Sequence, residues 1–483
     1  MLWRSAASPS LAVAVILGLI ALLASGHAVL NKRDARAAVG WIGLIMVVPG
    51  LGALLYLLIG INRIERRATR RRAGAAHAAT RVSPHVVSAQ PGGSLLRADA
   101  GPLEGLVRLV ERTTSRPLLD GNRIEPLRDG DEAYPAMLEA IEAATRSIAL
   151  ATYIFDADSV GRRFVEALAL AQARGVHVRV LIDDAGARYS RPPIDRLLRP
   201  RGVTVARFLP LVVPWALPYL NLRNHRKLLV VDGRLAFTGG MNIREGCVIQ
   251  DEPQAPTRDL HFRVRGPVLA QLLDVFAEDW YFARRERLEG AAWVVDTAGA
   301  GPALARTIVD GPDEDLDVMR WAFLGAIASA RRTIRIVTPY FLPDESLVTA
   351  LNVAAMRGVR VDIVLPEKGN LLLVHWAMRG EIWKLLGRGC RVWLTPPPFD
   401  HAKLLVIDGA WSLVGSANWD PRSLRLNFEL GLECYDAALA RGLDVLIDER
   451  MATARELLAD DLETAPLWSR LRDGVARLFA PYL

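Results

Sequence analysis

Two stretches of the chain carry the same chemistry-bearing residues at the same spacing. NHRKLLVVDGRLAFTGGMN (224–242) and DHAKLLVIDGAWSLVGSAN (400–418) both read His-x-Lys-x4-Asp-x6-Gly-(Gly/Ser)-x-Asn. The first supplies His225, Lys227, Asp232, Gly239, Gly240 and Asn242; the second supplies His401, Lys403, Asp408, Gly415, Ser416 and Asn418. In a strand, residues two apart point to one face, so each His and Lys can reach a single ligand. The Asp follows an apolar strand, and the Gly-x-x-Asn turn offers amides and a carboxamide to an oxyanion. A basic group, a cation and amide donors together describe a phosphate site that needs no metal and no cofactor, because two lysines supply the charge. A lone His in a strand is most often core or surface decoration. The whole spacing, met twice, is not.

The elements that must position these residues are also duplicated. AATRSIALATYIF (143–155) returns as ASARRTIRIVTPYF (328–341), each a helix end running into a strand that ends near Tyr. ARGVHVRVLIDD (173–184) returns as MRGVRVDIVLPE (356–367), a helix end, a Gly cap and a buried strand. Three matched blocks in one order imply a duplicated module of roughly 160 residues, and strands alternating with helices make each copy an α/β sandwich. Apolar runs 147–155 and 176–182 read as buried strands. Between them 162–174 has helical spacing through Phe164, Leu168 and Leu170. The fold expected is α/β: an N-terminal transmembrane helix hairpin with a basic flank (1–72), a linker (73–118), a first repeat (119–289), a second repeat (303–460) and a C-terminal amphipathic helix (461–483), the two repeats forming one active site.

The hairpin rests on two apolar runs. Residues 11–30 carry no charge, and twenty helical residues cover about 30 Å, the hydrocarbon thickness of a bilayer. A short charged loop with Lys32, Arg33 and Arg36 leads to a second run, 37–61, with Trp41 and Tyr56 near its ends as interfacial anchors. A cleaved signal peptide is the competing reading of the first run, and the second span following at once argues against it. Arg63, Arg66, Arg67, Arg70, Arg71 and Arg72 after the second run place the bulk of the protein on the cytoplasmic side of the membrane. The small, turn-forming stretches AGAAHAAT, SAQPGGS and ADAGP mark the linker.

Composition bounds the rest. With 483 residues, 51% hydrophobic and 23% charged, the chain can bury a large core and is not generally disordered. Cys247, Cys390 and Cys434 share no CxxC spacing, which excludes a disulfide framework and a cysteine zinc site. A net charge of +7 favours an anionic partner, and both nucleic acid and anionic lipid satisfy it.

On these residues the sequence resembles the phospholipase D superfamily, whose signature is this paired motif, and within it the bacterial cardiolipin synthases. TYIFDADSVG (152–161), RNHRKLLVVDG (223–233), GPVLAQLLDVFAEDW (266–280), VTPYFLPDESL (337–347) and SANWDPRSLRLNFE (416–429) look like that family's blocks, and 41–60 looks like its second membrane helix. The resemblance implies a phosphatidyltransferase that joins two phosphatidylglycerol molecules into cardiolipin and glycerol through a phosphohistidine. It implies His225 as nucleophile and His401 as general acid and then base, although the symmetry of the motifs leaves the reverse open. Lys227, Lys403, Asn242 and Asn418 would bind non-bridging oxygens, with Ser416 helping. Glu429 would orient the opposite half's His, and Asp259 is the nearest counterpart in the first half. Asp232 and Asp408, grouped with the catalytic set by their motif, are expected to brace the site. Two departures stand out: Gly240 where the motif commonly has Ser, and Gly369-Asn370 where relatives often carry an acid.

Membrane phospholipids are the partners expected and nucleic acid is not; oligomeric state is left open. The rivals are a lipid-hydrolysing phospholipase D and a membrane-tethered nuclease. PLVVPWALPYLNL (210–222) suits either an acyl-chain entry or a buried loop. In the C-terminal helix Leu467, Leu471, Val475, Leu478, Phe479 and Tyr482 share one face; packing of that face on the catalytic core is favoured over a membrane-surface role. The stripe in 266–282 (Val268, Leu272, Phe276, Trp280) reads as core.

Overall fold

A computed structural model describes residues 9–32, 35–60, 103–210, 222–312 and 316–480. The arginines of 63–72 and almost all of the Pro-rich 210–222 segment lie outside the described residues. The chain divides into two compact units: the N-terminal apolar helices, and the residues from 103 onward.

In the first unit, helix Pro9–Asn31 is 23 residues long. Its 11–31 portion is the one helix among the described residues long and apolar enough to cross a bilayer. The second apolar run departs from the expected single span. Its helix ends at Val47 after 13 residues, or about 20 Å. Pro49 has no amide hydrogen to continue the ladder, and Gly50 takes φ +87°. A five-residue helix, Leu51–Leu55, and a wider turn, Tyr56–Gly60, follow the break. Bonds from Gly52 N–H to the Val48 carbonyl and from Leu54 N–H to the Gly50 carbonyl stitch across it. Trp41 and Tyr56 are not outward anchors. Both are buried with Ala21, Ala24 and Ala28, whose small side chains allow close helix approach, and Tyr56 Oη shares a 2.8 Å hydrogen bond with His27 Nδ1.

Among the described residues, the second unit holds nine strands in each half. In the first half they are β1 (Leu119–Arg128), β2 (Ser147–Thr152), β3 (His177–Asp183), β4 (Thr204–Phe208), β5 (Arg223–Asn224), β6 (Leu228–Val231), β7 (Leu235–Gly239), β8 (Thr257–Arg258) and β9 (Leu260–Arg265). In the second half they are β10 (Ala303–Asp310), β11 (Thr333–Val337), β12 (Arg360–Pro366), β13 (Arg391–Thr395), β14 (Phe399–Asp400), β15 (Leu404–Ile407), β16 (Trp411–Gly415), β17 (Asn427–Tyr435) and β18 (Arg455–Leu457). The orders β4-β3-β2-β6-β7-β9-β1 and β13-β12-β11-β15-β16-β17-β10 are the same topology twice, joined where β1 pairs antiparallel with β10. β2, β3 and β4 run parallel, as do β11, β12 and β13.

Strand alternation builds the layers. Ile148 and Leu150 of β2 enter a core with Met137, Ile141, Phe164 and Leu168 of the two helices on that side. Ala149 and Ala151 face the other way, into a core that also holds Leu404 and Val406 of β15. Helix Val268–Arg284 packs there, as its stripe anticipates. Helix capping repeats between the halves. Asp158 caps Ser159–Ala173 and Asp344 caps Glu345–Met356 through backbone amides, and Gly175 and Gly358, near φ +90°, end them. Leu170 of the first of these helices is exposed rather than core. Residues 103–118, expected as linker, instead contain helix Glu104–Thr114, whose Leu106, Val107 and Val110 are buried against the second half.

The motif aspartates fall at the hairpin turns, far from the motif histidines. Asp232 and Asp408 adopt φ +53° and +55°, each followed by a left-handed glycine, the backbone that Asp-Gly turns favour. Asp232 accepts the amides of Thr145, Arg146 and Ser147 at 2.7–2.9 Å. Asp408 accepts those of Arg331, Arg332 and Thr333 at 2.7–2.9 Å. Each thereby pins the start of β2 or β11 beside its motif strand. Burial raises the Asp232 pKa, but the three amides outweigh it and the net shift is downward. Its stabilising contribution is therefore present above the ordinary carboxylate range and is lost as pH falls through the depressed folded value. Asp232→Ala should lower chemical stability by about 1–3 kcal/mol, because three backbone amides, that of Ser147 buried, lose a charged acceptor. Denaturation of the detergent-solubilised protein, with turnover normalised to folded enzyme, is the measurement. A fully stable but inactive variant would move Asp232 into the chemistry.

Candidate active site

Both motifs approach the site through a short strand that pairs with a strand of the other half. β5, just before His225, pairs in parallel with β17 (Arg223↔Asn427, Asn224↔Phe428). β14, just before His401, pairs in parallel with β8 (Phe399↔Thr257, Asp400↔Arg258). The exchange continues one residue further: His225 N–H bonds the Phe428 carbonyl at 3.0 Å, and His401 N–H bonds the Arg258 carbonyl at 2.7 Å. The next residues along are Glu429 and Asp259. Their equivalence is fixed by register, since Gly239 pairs with His261 and Gly415 with Gly431, and each acid lies two residues before that partner.

The side chains complete the crossing. His225 Nδ1 lies 3.0 and 3.1 Å from the two Glu429 carboxylate oxygens, and His401 Nδ1 lies 2.8 Å from Asp259 Oδ2. Each histidine is thus held by a carboxylate from the opposite half. The two histidines and both lysines influence one another's charge, so the four groups share one neighbourhood. His225 and Lys227, like His401 and Lys403, lie on extended chain between strands rather than within one. Lys227 Nζ turns back to donate to the His225 carbonyl at 2.6 Å, and Lys403 Nζ does the same to the His401 carbonyl.

These groups are buried, His401 slightly less fully than the rest, and burial dominates their protonation. It lowers the Lys227 pKa to about 7, the nearby Lys403 also disfavouring its charge, and that of Lys403 to about 8. Burial and the nearby lysines push His225 down against the pull of Glu429, and push His401 well below the ordinary imidazole range. Glu429 is held below the usual carboxylate range despite burial by His225, Lys227 and the Ser416 hydroxyl. Burial lifts Asp259 to about 7. Among the described residues, no three His, Cys, Asp or Glu side chains are grouped to hold a metal ion.

The remaining expected residues support rather than crowd this centre. Asn242 Oδ1 accepts Ile154 N–H at 3.1 Å, and Asn418 Nδ2 lies 3.2 Å from Ser423 Oγ. Asn418 Oδ1 is buried with no hydrogen-bond partner among the described residues. Asp232 and Asp408 are not brought to the centre; each is spent on backbone amides at the far end of its strand, about 16 Å from the motif lysine at 3.3 Å per residue. Sequence reading missed Tyr153 and Tyr340, whose rings pack edge-on near His225 (5.4 Å) and His401 (6.4 Å). Their signal is the shared Tyr at the end of the first repeated block. Asn370, at the departure noted above, accepts the Tyr340 hydroxyl at 2.8 Å, so there a neutral carboxamide orients the ring beside His401. Arg226, between His225 and Lys227, points away and pairs with buried Asp279 at 2.7 Å.

These features coincide with those of known proteins. The family model described as cardiolipin synthase, PLD-like domain matches 137–280 and 323–451, and the phospholipase D-nuclease N-terminal model matches 13–60. Cardiolipin synthase A of Pseudomonas entomophila is 31% identical over 97% of both chains. The major cardiolipin synthase ClsA of Bacillus subtilis is 30% identical over 94% of this chain and 95% of its own. The crystal structure of phosphatidylserine synthase from Haemophilus influenzae Rd KW20 shares the fold, with TM-score 0.62 and 15% identity over 78% of this chain and all of that one. Fold and site define a phosphatidyltransferase of the phospholipase D type. Within that class, the chain belongs to the cardiolipin synthase family.

The glycine at 240 has a structural reason. A Cβ there would stand 2.4 Å from Asp259 Oδ1. In the second half, the longer Glu429 leaves room for Ser416, whose hydroxyl donates to it. Gly240→Ser should therefore displace Asp259 from His401 and cut turnover by about tenfold or more, the loss expected when a positioned proton-transfer group is misplaced. Adding Asp259→Glu should restore much of that loss. Steady-state rates of the single and double variants test the coupling, and strictly additive losses would refute it.

Proposed function

We propose that the two halves form one active site that exchanges one phosphodiester for another, joining two phosphatidylglycerol molecules into cardiolipin with release of glycerol. The observation that carries this reading is the reciprocal bonding of each motif histidine to the opposite half's carboxylate. An ionised Glu429 accepts a hydrogen bond from His225 Nδ1–H, leaving Nε2 with a free lone pair to attack phosphorus. At Asp259 the carboxyl is protonated near neutrality and donates to His401 Nδ1, which leaves the proton of neutral His401 on Nε2.

In the first step, the His225 Nε2–phosphorus bond forms as the bond to the glycerol oxygen breaks. That oxygen takes the His401 Nε2 proton, and Asp259 resupplies His401 at Nδ1. In the second step, a headgroup hydroxyl of another phosphatidylglycerol gives its proton to His401 Nε2 and attacks phosphorus, the bond to His225 breaks, and His401 returns its Nδ1 proton to Asp259. Lys227, Lys403, Asn242 and Asn418 meet the non-bridging oxygens, and an arriving phosphate restores full charge to the buried lysines. The exchange conserves bond type, so it needs no nucleotide.

The N-terminal unit fits a membrane anchor. Pro9–Asn31 is long enough to cross, and the broken second segment completes a hairpin only if its two pieces are read together. The arginines at 63–72 then favour a cytoplasmic catalytic unit.

Thin-layer analysis of purified enzyme with phosphatidylglycerol should show cardiolipin and glycerol; phosphatidic acid alone would assign hydrolysis, and cleaved nucleic acid a nuclease. His225→Ala and His401→Ala should each abolish turnover, with the double variant hardly worse, because the pair acts as a unit. Labelled phosphatidyl group trapped under denaturing alkaline conditions should sit on His225; label on His401 would reverse the roles.

The pH dependence has a definite sign. Asp259, at about 7, must be protonated for the first step, and Lys227, also at about 7, must be charged. Both conditions fail as pH rises. The single-turnover burst of glycerol should therefore decline above about pH 7, and a burst that grew steadily with pH would contradict the assignment.

A further inference from the structure

The C-terminal helix Leu467–Leu478 turns its apolar face outward, contrary to the packing expected from its periodicity. Leu467, Trp468, Leu471, Val475, Leu478 and Phe479 are 51–71% exposed. The buried side is Ser469, Asp473 and Ala476, seated on helix Leu372–Leu386. The seat is specific. A Cβ on Gly380 would stand 2.7 Å from the Asp473 carbonyl, so the backbones meet where only glycine fits. Asp473 takes Arg379 at 3.1 Å and Arg472 at 2.7 Å, and Arg477 approaches Glu381 at 3.8 Å. The helix is held firmly in an orientation that leaves its hydrophobic residues in solvent.

We propose that this face, with the adjoining exposed Leu372 and Trp383, docks the catalytic unit onto the surface of an anionic phospholipid bilayer. Four observations select that occupant. The helix has 12 residues, about 18 Å, too short to cross a bilayer but suited to lie in its interface. It carries three arginines against one aspartate, a charge that complements anionic headgroups. The Arg472 guanidinium sits between the Trp376 and Trp468 rings, 4.7 and 5.1 Å from their centroids, placing indole and cation together as they gather at a headgroup boundary. The same chain also holds a membrane-length apolar helix. The use of this surface, delivering the site to its lipid, rests on the phosphatidyl-transfer reading; the docking itself does not.

The test uses the full chain in vesicles of phosphatidylcholine and phosphatidylglycerol that include acyl-chain-brominated lipid. The three native cysteines are buried, so bimane can be placed selectively on Leu471→Cys or Leu478→Cys, with Leu170→Cys, on another exposed leucine, as control. Bromine should quench the first two labels about fivefold more than the third, as an interfacially seated apolar face requires. Quenching no greater than the control overturns the proposal, as does concentration-dependent burial of the labels against a second copy. A second arm, Leu471→Asp with Leu478→Asp, should lower turnover on phosphatidylglycerol bilayers about tenfold while leaving that on micellar short-chain phosphatidylglycerol unchanged. Equal loss in both formats overturns the docking role. Absence of turnover by the parent enzyme in every format would sink the phosphatidyl-transfer reading, and the quenching arm would still decide the docking.

Discussion

The structure depends on two short contacts, His225 to Glu429 and His401 to Asp259, each made between halves and neither available within one half. A buried imidazole is useful only if its ring is fixed and its tautomer set, and a hydrogen bond at Nδ1 does both. Each half places its histidine at the end of a strand paired to its partner and its carboxylate at the start of a strand in its own sheet. That exchange accounts for the short parallel pairings β5–β17 and β8–β14, for the shared core between the sheets, and for a duplication in which both copies keep the full motif. One half alone has a histidine without its acid and an acid without its histidine.

Around those contacts the charge balance is deliberately incomplete. Two nearly inaccessible lysines face one ionised carboxylate and one that is neutral near pH 7, and each lysine is pushed toward losing its proton. Buried charge without a partner is costly. In the proposed reaction a monoanionic phosphodiester would relieve the cost on binding, and a more anionic trigonal-bipyramidal phosphorus would relieve it further, so the same groups would stabilise the transition state more than the substrate.

Much of this was legible in the chain because it is written twice. The His-Lys-Asp-Gly-Asn spacing, the repeated strand blocks and the α/β alternation all recur, and repetition separates chemistry from accident. What the sequence withheld depended on three-dimensional choices. Asp232 lies in the motif yet works on backbone amides, because an Asp-Gly turn carries it to the far end of the strand. The second apolar run reads as a continuous span, and Pro49 with Gly50 breaks its ladder. Residues 103–118 look like linker by their neighbours' composition, although Leu106, Val107 and Val110 bury a helical stripe. The C-terminal helix shows why amphipathicity names two faces without saying which is packed: close backbone approach at Gly380 and the Asp473 ion pairs won the inner side, and the leucines were left outside.

A duplicated site poses a chemical problem that its near-symmetry sharpens, since a nucleophile and a general acid must differ in where they keep their proton. The two halves are alike in strand order, in the lysine-to-carbonyl bonds and in the histidine amide bonds. They part at one pair of positions. Where the second half has Ser416 and Glu429, the first has Gly240 and Asp259, and the missing methylene draws the shorter carboxylate into the space a Cβ would fill. The consequences are electrostatic. Glu429 receives a hydroxyl and the Asn427 carboxamide and stays ionised. Asp259 lacks that hydroxyl, and burial, with Asp400 nearby, lifts its pKa to about 7, so it retains a proton near neutrality. The divergence of one side chain by one carbon, with the glycine that accommodates it, gives two otherwise equivalent histidines carboxylates that hold their protons differently, the asymmetry on which the proposed division of roles rests.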